Sequence, residues 1–294
     1  MEIRILYVYL QCTIKLIHYD MIEIKDLSFS YGKNSVLENI SMKLEEGRIY
    51  GLLGENGVGK TTLLTLLSGL KKPQSGAILV DGIEPYRRMP SSLQSQYYLS
   101  DEVMAYNQTA ECFARFSGKF WPGFDMDKFM TLMKEFETET NQKMNRMSAG
   151  QLKKTHISFA LACNPKYLFM DEPTNGLDIP SKAQFRKAVT LYTPEDSTIV
   201  ISTHQVRDLE NIIDPVIILD RRDVLVNASI EKISEKLYFD YGNVLRDGAL
   251  YSEQLPGGFI QVVPNTEGLE SKVNIEALFN AVHKHKDLIK NMFK

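Results

Sequence analysis

Apolar and polar positions alternate from Met21 onward. In "IEIKDLSFSYG", Ile22 and Ile24 alternate with charged residues, and Leu27, Phe29 and Tyr31 resume the alternation after a shift. Period-two patterning predicts a half-buried strand, and the shift predicts a bulge. Ile40, Met42 and Leu44 repeat the pattern after the turn-like "YGKNS", so both stretches read as one antiparallel layer. "GRIYGLLG" is a short apolar run ending in glycine, "KTTLLTLLSGL" reads as a helix ended by Gly69, and "AILVDG" as a strand. Residues 85–162 are poor in glycine and place Phe, Met and charge at helical spacing, which predicts a helical insertion closed by the helix "SAGQLKKTHISFALACNP". "YLFMDEP" and "STIVISTH" are strands separated by the helix "SKAQFRKAVTLY", the pattern of a parallel crossover unit. "DPVIILDRRDVLVNAS" reads as a hairpin, "IEKISEKLYF" as a helix, "ALYSEQLPGGFIQVVPN" as two strands about a turn, and "NIEALFNAVHKHKDLIKNMF" as one amphipathic helix.

Before Met21 the pattern loses this local sense. Residues 1–20 read as an upstream extension or a misassigned start, with an extra edge strand as the plainer alternative. Arg4 and Lys15 interrupt their apolar run, so no stretch of about 18 uncharged apolar residues is available to cross a bilayer. A length of 294 residues fits one large domain with an appendage. The resulting division is an extension at 1–20, a main domain at 21–228 and a C-terminal extension at 229–294.

Composition narrows the function classes modestly. A net charge of −3 gives no reason to expect a nucleic-acid partner. Cys12, Cys112 and Cys163 are scattered without metal-ligand spacing, which fits reduced thiols.

"GENGVGKTT" carries the first chemistry. Gly54, Asn56, Gly57, Gly59, Lys60, Thr61 and Thr62 form a strand–loop–helix phosphate motif. Glycines allow close backbone approach, and the helix start adds inward N–H groups. In such a loop Lys60 reaches phosphate and the Thr61 hydroxyl serves Mg²⁺. "YLFMDE" brings Asp171 to a strand end, where it would hold Mg²⁺ through water, with Glu172 turned toward an attacking water.

With these motifs in place, the chain resembles the ATP-binding subunits of ABC transporters. The distinguishing stretch is "MSAGQ", Met147 to Gln151, about twenty residues before the Asp-Glu pair. "NGLD" (Asn175 to Asp178), His204 and Tyr31 are further matches, and the resemblance spans roughly residues 21–227. It implies a P-loop NTPase of the α/β class with a mainly parallel central sheet, an antiparallel β subdomain, a helical insertion and a small C-terminal α+β extension. It also implies ATP and Mg²⁺ as cofactors. Tyr31 would stack on adenine, Glu172 act as general base, and His204 sense the γ-phosphate. Ser148, Ala149, Gly150 and Gln151 would act in trans on nucleotide held by a second copy, and Asp178 would link the two sites. A separate transmembrane permease would be the other partner, placing the chain on the cytoplasmic face of the membrane. The ending "NIEALFNAV" resembles the tail of exporter-type members.

One departure stands out. Where the family carries a glutamine, this chain has "YYLSDE", so Asp101 or Glu102 takes that place, and Asp101 is the expected replacement, as a ligand for Mg²⁺. Lys153 and Lys154 read as a solvated face, Trp121 as packing or a membrane-partner contact, and His283 and His285 as residues without acidic partners. Two other readings remain open: an ABC ATPase acting on nucleic acid or ribosomes, and a phosphotransferase that does not use "SAGQ".

Overall fold

The computed structural model of the chain describes residues 21–293, so the reading of residues 1–20 lies outside the described residues. Strands β1 (Met21–Tyr31), β2 (Asn34–Glu45), β3 (Ile49–Leu53), helix α1 (Lys60–Leu67) and β4 (Ser75–Val80) open the chain. β1 pairs antiparallel with β2 and β4 in a three-stranded sheet of order β2-β1-β4. The register shifts between Ile24 and Leu27, where the sequence pattern changes phase.

Next come α2 (Pro90–Ser95), β5 (Gln96–Leu99), α3 (Ala110–Ser117), α4 (Met126–Glu135) and α5 (Ala149–Ala162). The stretch expected to be wholly helical therefore contains a strand. Four residues are too short to reveal a period, and β5 forms because its backbone pairs in parallel with the next strand, Gln96 opposite Tyr167 and Leu99 opposite Met170.

β6 (Tyr167–Asp171), α6 (Ile179–Tyr192), β7 (Thr198–Thr203), β8 (Val216–Asp220) and β9 (Asp223–Ala228) complete a six-stranded sheet of order β5-β6-β7-β3-β8-β9. Only the β8–β9 hairpin is antiparallel. β6, β7 and β8 are buried along their whole length, as expected of parallel strands covered on both faces. The leucines of α1 sit between the two sheets: Leu63, Leu64, Leu66 and Leu67 pack with Ile22 and Ile24 on one side and with Leu52, Phe169 and Val200 on the other. That packing fixes the helix behind the phosphate loop.

The C-terminal segment holds α7 (Ile230–Lys236), β10 (Leu237–Gly242), β11 (Tyr251–Leu255), β12 (Gly258–Pro264), α8 (Ile275–Lys284) and α9 (Lys286–Met292). The helix expected through "LYF" ends at Lys236, because Leu237 and Phe239 are buried as strand residues paired with β12. The single terminal helix expected after Asn274 is two helices, broken at His285 (φ −130°, ψ 51°). The break lets Ile289 turn back into the core that Leu278 and Val282 share with Ile218 and Val226. His283 does have an acidic neighbour, Asp220 at 3.7 Å, supplied by the distant hairpin.

Candidate functional site

Strand register assembles the site. Asp171 lies opposite Ser202 and Leu53 opposite Thr203, so the carboxyl ends of β6, β7 and β3 form one edge. Ligands gather at that edge in open α/β sheets. The loop after β3, the Asp-Glu pair after β6 and His204 after β7 therefore meet there.

The loop, Glu172 and His204 line one cavity of about 640 Å³, with Tyr31, Asn34, Asn56, Gly57, Gly59, Lys60, Thr61, Thr62, Asp101 and Asn175 also in its wall, whereas Gly54 and Asp171 are not part of that wall. Gly59 has φ 114°, a conformation that favours glycine, and a Cβ there would meet Val36 at 2.8 Å. α1 starts at Gly59 without a side-chain cap. Its first N–H groups thus face the cavity rather than a local hydroxyl or carboxylate. Lys60 is buried, and its Nζ donates to the carbonyls of Gly54 at 2.8 Å and Glu55 at 3.2 Å. Those contacts bend the lysine over the loop.

Glu172 takes φ 45°, sparsely populated for a non-glycine residue. Its backbone N–H donates to Ser202 Oγ at 3.0 Å. The carboxylate reaches Lys60 Nζ at 3.4 Å and accepts from His204 Nδ1 at 2.9 Å. The strained backbone aims Glu172 into the cavity while Asp171 turns the other way. Asp171 is buried, and its Oδ1 accepts from Ser202 Oγ at 2.5 Å. Tyr98 donates to Asp171 Oδ2 at 3.5 Å, and burial next to this carboxylate raises the Tyr98 phenol far above its usual range.

Tyr31 stands at the cavity mouth, 47% exposed. Its ring packs edge-on against Phe29 at 5.1 Å, and its hydroxyl lies 3.3 Å from Thr62 Oγ1. A half-exposed ring fixed at its edge leaves aromatic surface for a flat ligand.

Ser148, Ala149, Gly150, Gln151 and Asp178 are not among the residues lining this cavity. Ser148 caps α5: its Oγ accepts from Gln151 N at 3.2 Å, and Ser148 N donates to Gln151 Oε1 at 3.0 Å. This reciprocal pair is a capping box. Ala149 is exposed, so its methyl meets no crowding. Asp178 caps α6 by accepting from Ser181 N at 2.9 Å, and this pairing with Ser181 holds its carboxyl below the usual carboxylate range.

Lys153 corrects the sequence reading. It is 4% exposed rather than solvated, and its Nζ donates to Asp101 O at 2.6 Å and Oδ1 at 3.0 Å. Helical spacing alone did not separate it from Lys154, which is partly exposed. Asn34, Ser202 and Tyr98 also went unread. Ser202 carried the one usable signal, a hydroxyl two residues before His204 at a strand end.

Fold and site together define an α/β nucleotide-binding protein of the phosphate-loop class. Residues 37–175 match the ABC transporter family model. The chain is 30% identical over 208 residues to the lantibiotic transport ATP-binding protein SrtF of Streptococcus pyogenes, covering 66% of this chain and 84% of that protein. It is 29% identical over 218 residues to the ABC transporter ATP-binding protein YtrB of Bacillus subtilis, covering 74% of each. A solved ATP-binding subunit of an ABC transporter superposes with TM-score 0.66 at 25% identity, over 72% of this chain and 91% of that one. The chain belongs to the ABC transporter family as an ATP-binding protein, and it is an ATPase of that family.

Proposed function

We propose that this chain is the energy-coupling subunit of an exporter, in which two copies close head to tail on ATP and drive a separate permease. The observation that carries the reading is the split of the motifs. Lys60, Thr61, Glu172 and His204 share one cavity, whereas the capped end at Ser148 lies outside it and is exposed. Two copies arranged head to tail would bring each Ser148 end onto the other's nucleotide. There the Ser148 hydroxyl, the Gly150 amide and the helix start would face the γ-phosphate, with Gln151 holding the cap and Asp178 at the joint.

Within one chain, Tyr31 stacks on adenine while Gly54, Asn56, Gly57, Gly59, Lys60, Thr61 and Thr62 cradle the phosphates. Glu172 polarises the attacking water. His204, bonded to Glu172, positions that carboxylate and contacts the γ-phosphate. The donor set fits Mg²⁺. Thr61 offers a hydroxyl and Asp171 a carboxylate, both hard oxygens of the kind that suit Mg²⁺. When bound, Mg²⁺ neutralises charge on the transferring phosphate.

The cassette spans residues 21–228 in this reading, and 229–294 form an extension braced against the β8–β9 hairpin. No helix among the described residues is long and apolar enough to cross a membrane. An apolar groove of about 520 Å³, lined by Leu70, Pro90, Tyr98, Phe120 and Trp121, supports a contact with the permease. Phe120 is 63% exposed there, while Trp121 is anchored by donating from Nε1 to Gln96 O at 3.0 Å. Export is supported by the resemblance of the C-terminal tail to exporter-type members.

The test is Glu172→Gln. With ATP and Mg²⁺ it should slow hydrolysis by about 10²-fold or more and accumulate as a dimer in light scattering. A variant that stays monomeric at saturating ATP would refute the head-to-tail mechanism.

A further inference from the structure

The Asp101 carboxylate poses an electrostatic problem. It lines a cavity suited to polyphosphate, where Glu172 already supplies one negative group. An unpaired second carboxylate would repel the ligand. Lys153 poses the converse problem, because a buried ammonium without a partner is costly. Each resolves the other. Lys153 Nζ reaches Asp101 Oδ1 at 3.0 Å and its backbone carbonyl at 2.6 Å, and Asn175 Nδ2 donates to both carboxylate oxygens at 3.3 and 3.4 Å. The carboxylate thus accepts three hydrogen bonds from groups of its own chain.

We propose that Lys153 is a positioning residue of the nucleotide site, neutralising Asp101 in the cavity wall and tying the helix that starts at Ser148 to that wall. Asp101 then serves as an anchor, and not as the metal ligand that replacement of a glutamine suggested. Lys153 follows Ser148 by five residues, about 7.5 Å along the helix. The pair thus links the wall of one chain's own nucleotide cavity to the helix end offered to a second chain.

This inference rests on the nucleotide-site reading above. Four full-length proteins test it: the parent, Asp101→Asn, Lys153→Met and the double variant. For each, the dissociation constant of a fluorescent ATP analogue, kcat, KM, the Mg²⁺ requirement and the melting temperature are measured. Lys153→Met should weaken nucleotide binding about tenfold and act through KM, because it strands a carboxylate beside phosphate. The double variant should recover most of that loss, a rescue that a purely structural role would not give. Asp101→Asn should leave the Mg²⁺ half-saturation point within about twofold of the parent. A rise of about tenfold in Mg²⁺ requirement for Asp101→Asn, with no rescue in the double variant, would make Asp101 a metal ligand and overturn the proposal. If Lys153→Met does not fold, the Asp101→Asn titration still decides, and Lys153→Arg, which keeps the charge, should retain affinity. Failure of the parent itself to bind ATP would sink the underlying reading, which is distinguishable from failure of the pairing.

Discussion

Two helices begin at the working face of this chain, and they begin in opposite ways. α1 starts at Gly59 with a left-handed backbone and no side-chain cap. α5 starts at Ser148 with a reciprocal capping box closed by Gln151. The uncapped start sits in the wall of a cavity, beside the buried Lys60, with no side-chain cap on its first N–H groups. The capped start is exposed and satisfies part of its own donor set. Such an end keeps its shape without a ligand while its hydroxyl proton and the Gly150 amide stay available. The contrast matches a receptor that binds phosphate on one helix and a preformed surface that closes over it from another copy.

Breaking the uncapped end should have the largest effect. Lys60→Met removes the ammonium bent over the loop and should lower hydrolysis by about 10²-fold or more, with ATP binding lost in equilibrium titration. Unchanged binding would mean that the loop does not hold the phosphates.

Changes at the capped end should have intermediate effects. Ser148→Ala and Gln151→Ala each break one arm of the capping box and should cost about 1 kcal/mol or less in urea unfolding. Hydrolysis should separate them. Ser148→Ala loses the hydroxyl offered to phosphate, whereas Gln151→Ala keeps it, so turnover should fall further in the first. Equal turnover losses would reduce Ser148 to a cap.

The smallest effect concerns the body of α5. Burial lowers the pKa of His156, which packs on Phe113 with Nε2 2.9 Å from Met104 O. Its folded pKa lies below the unfolded value, so the unfolded chain binds more protons as pH drops. Stability should be level above about pH 6.5 and decline below it. Urea midpoints across that range should show a shallower decline in His156→Phe. An identical pH profile in both proteins would remove His156 from the account.

The difference between the two helix starts also explains what the sequence disclosed. The phosphate loop, Asp171 and Glu172 were legible because each is tied to a local pattern, glycine spacing or the end of an apolar strand, and His204 was reached through the family resemblance. The parallel pairing of β6 with β7 follows from those strands and their crossover helix. Lys153 was not legible, since its partner lies 52 positions away and helical spacing gave it the same surroundings as Lys154. β5 was too short to show a period. The break at His285 and the approach of His283 to Asp220 depend on how the terminal helices fold back on the β8–β9 hairpin. Local rules reached what is locally determined, and pairing across the chain supplied the rest.

In the proposed dimer, each complete site takes its phosphate loop from one chain and its Ser148 helix end from another. Mixing Lys60→Met protein with Ser148→Arg protein, each inactive by itself, tests it directly. A mixed dimer contains one site with both halves intact, so ATP hydrolysis should reappear on mixing and rise with the fraction of mixed dimer. Full hydrolysis by Ser148→Arg alone, or silence in a mixture shown by light scattering to contain mixed dimers, would contradict it.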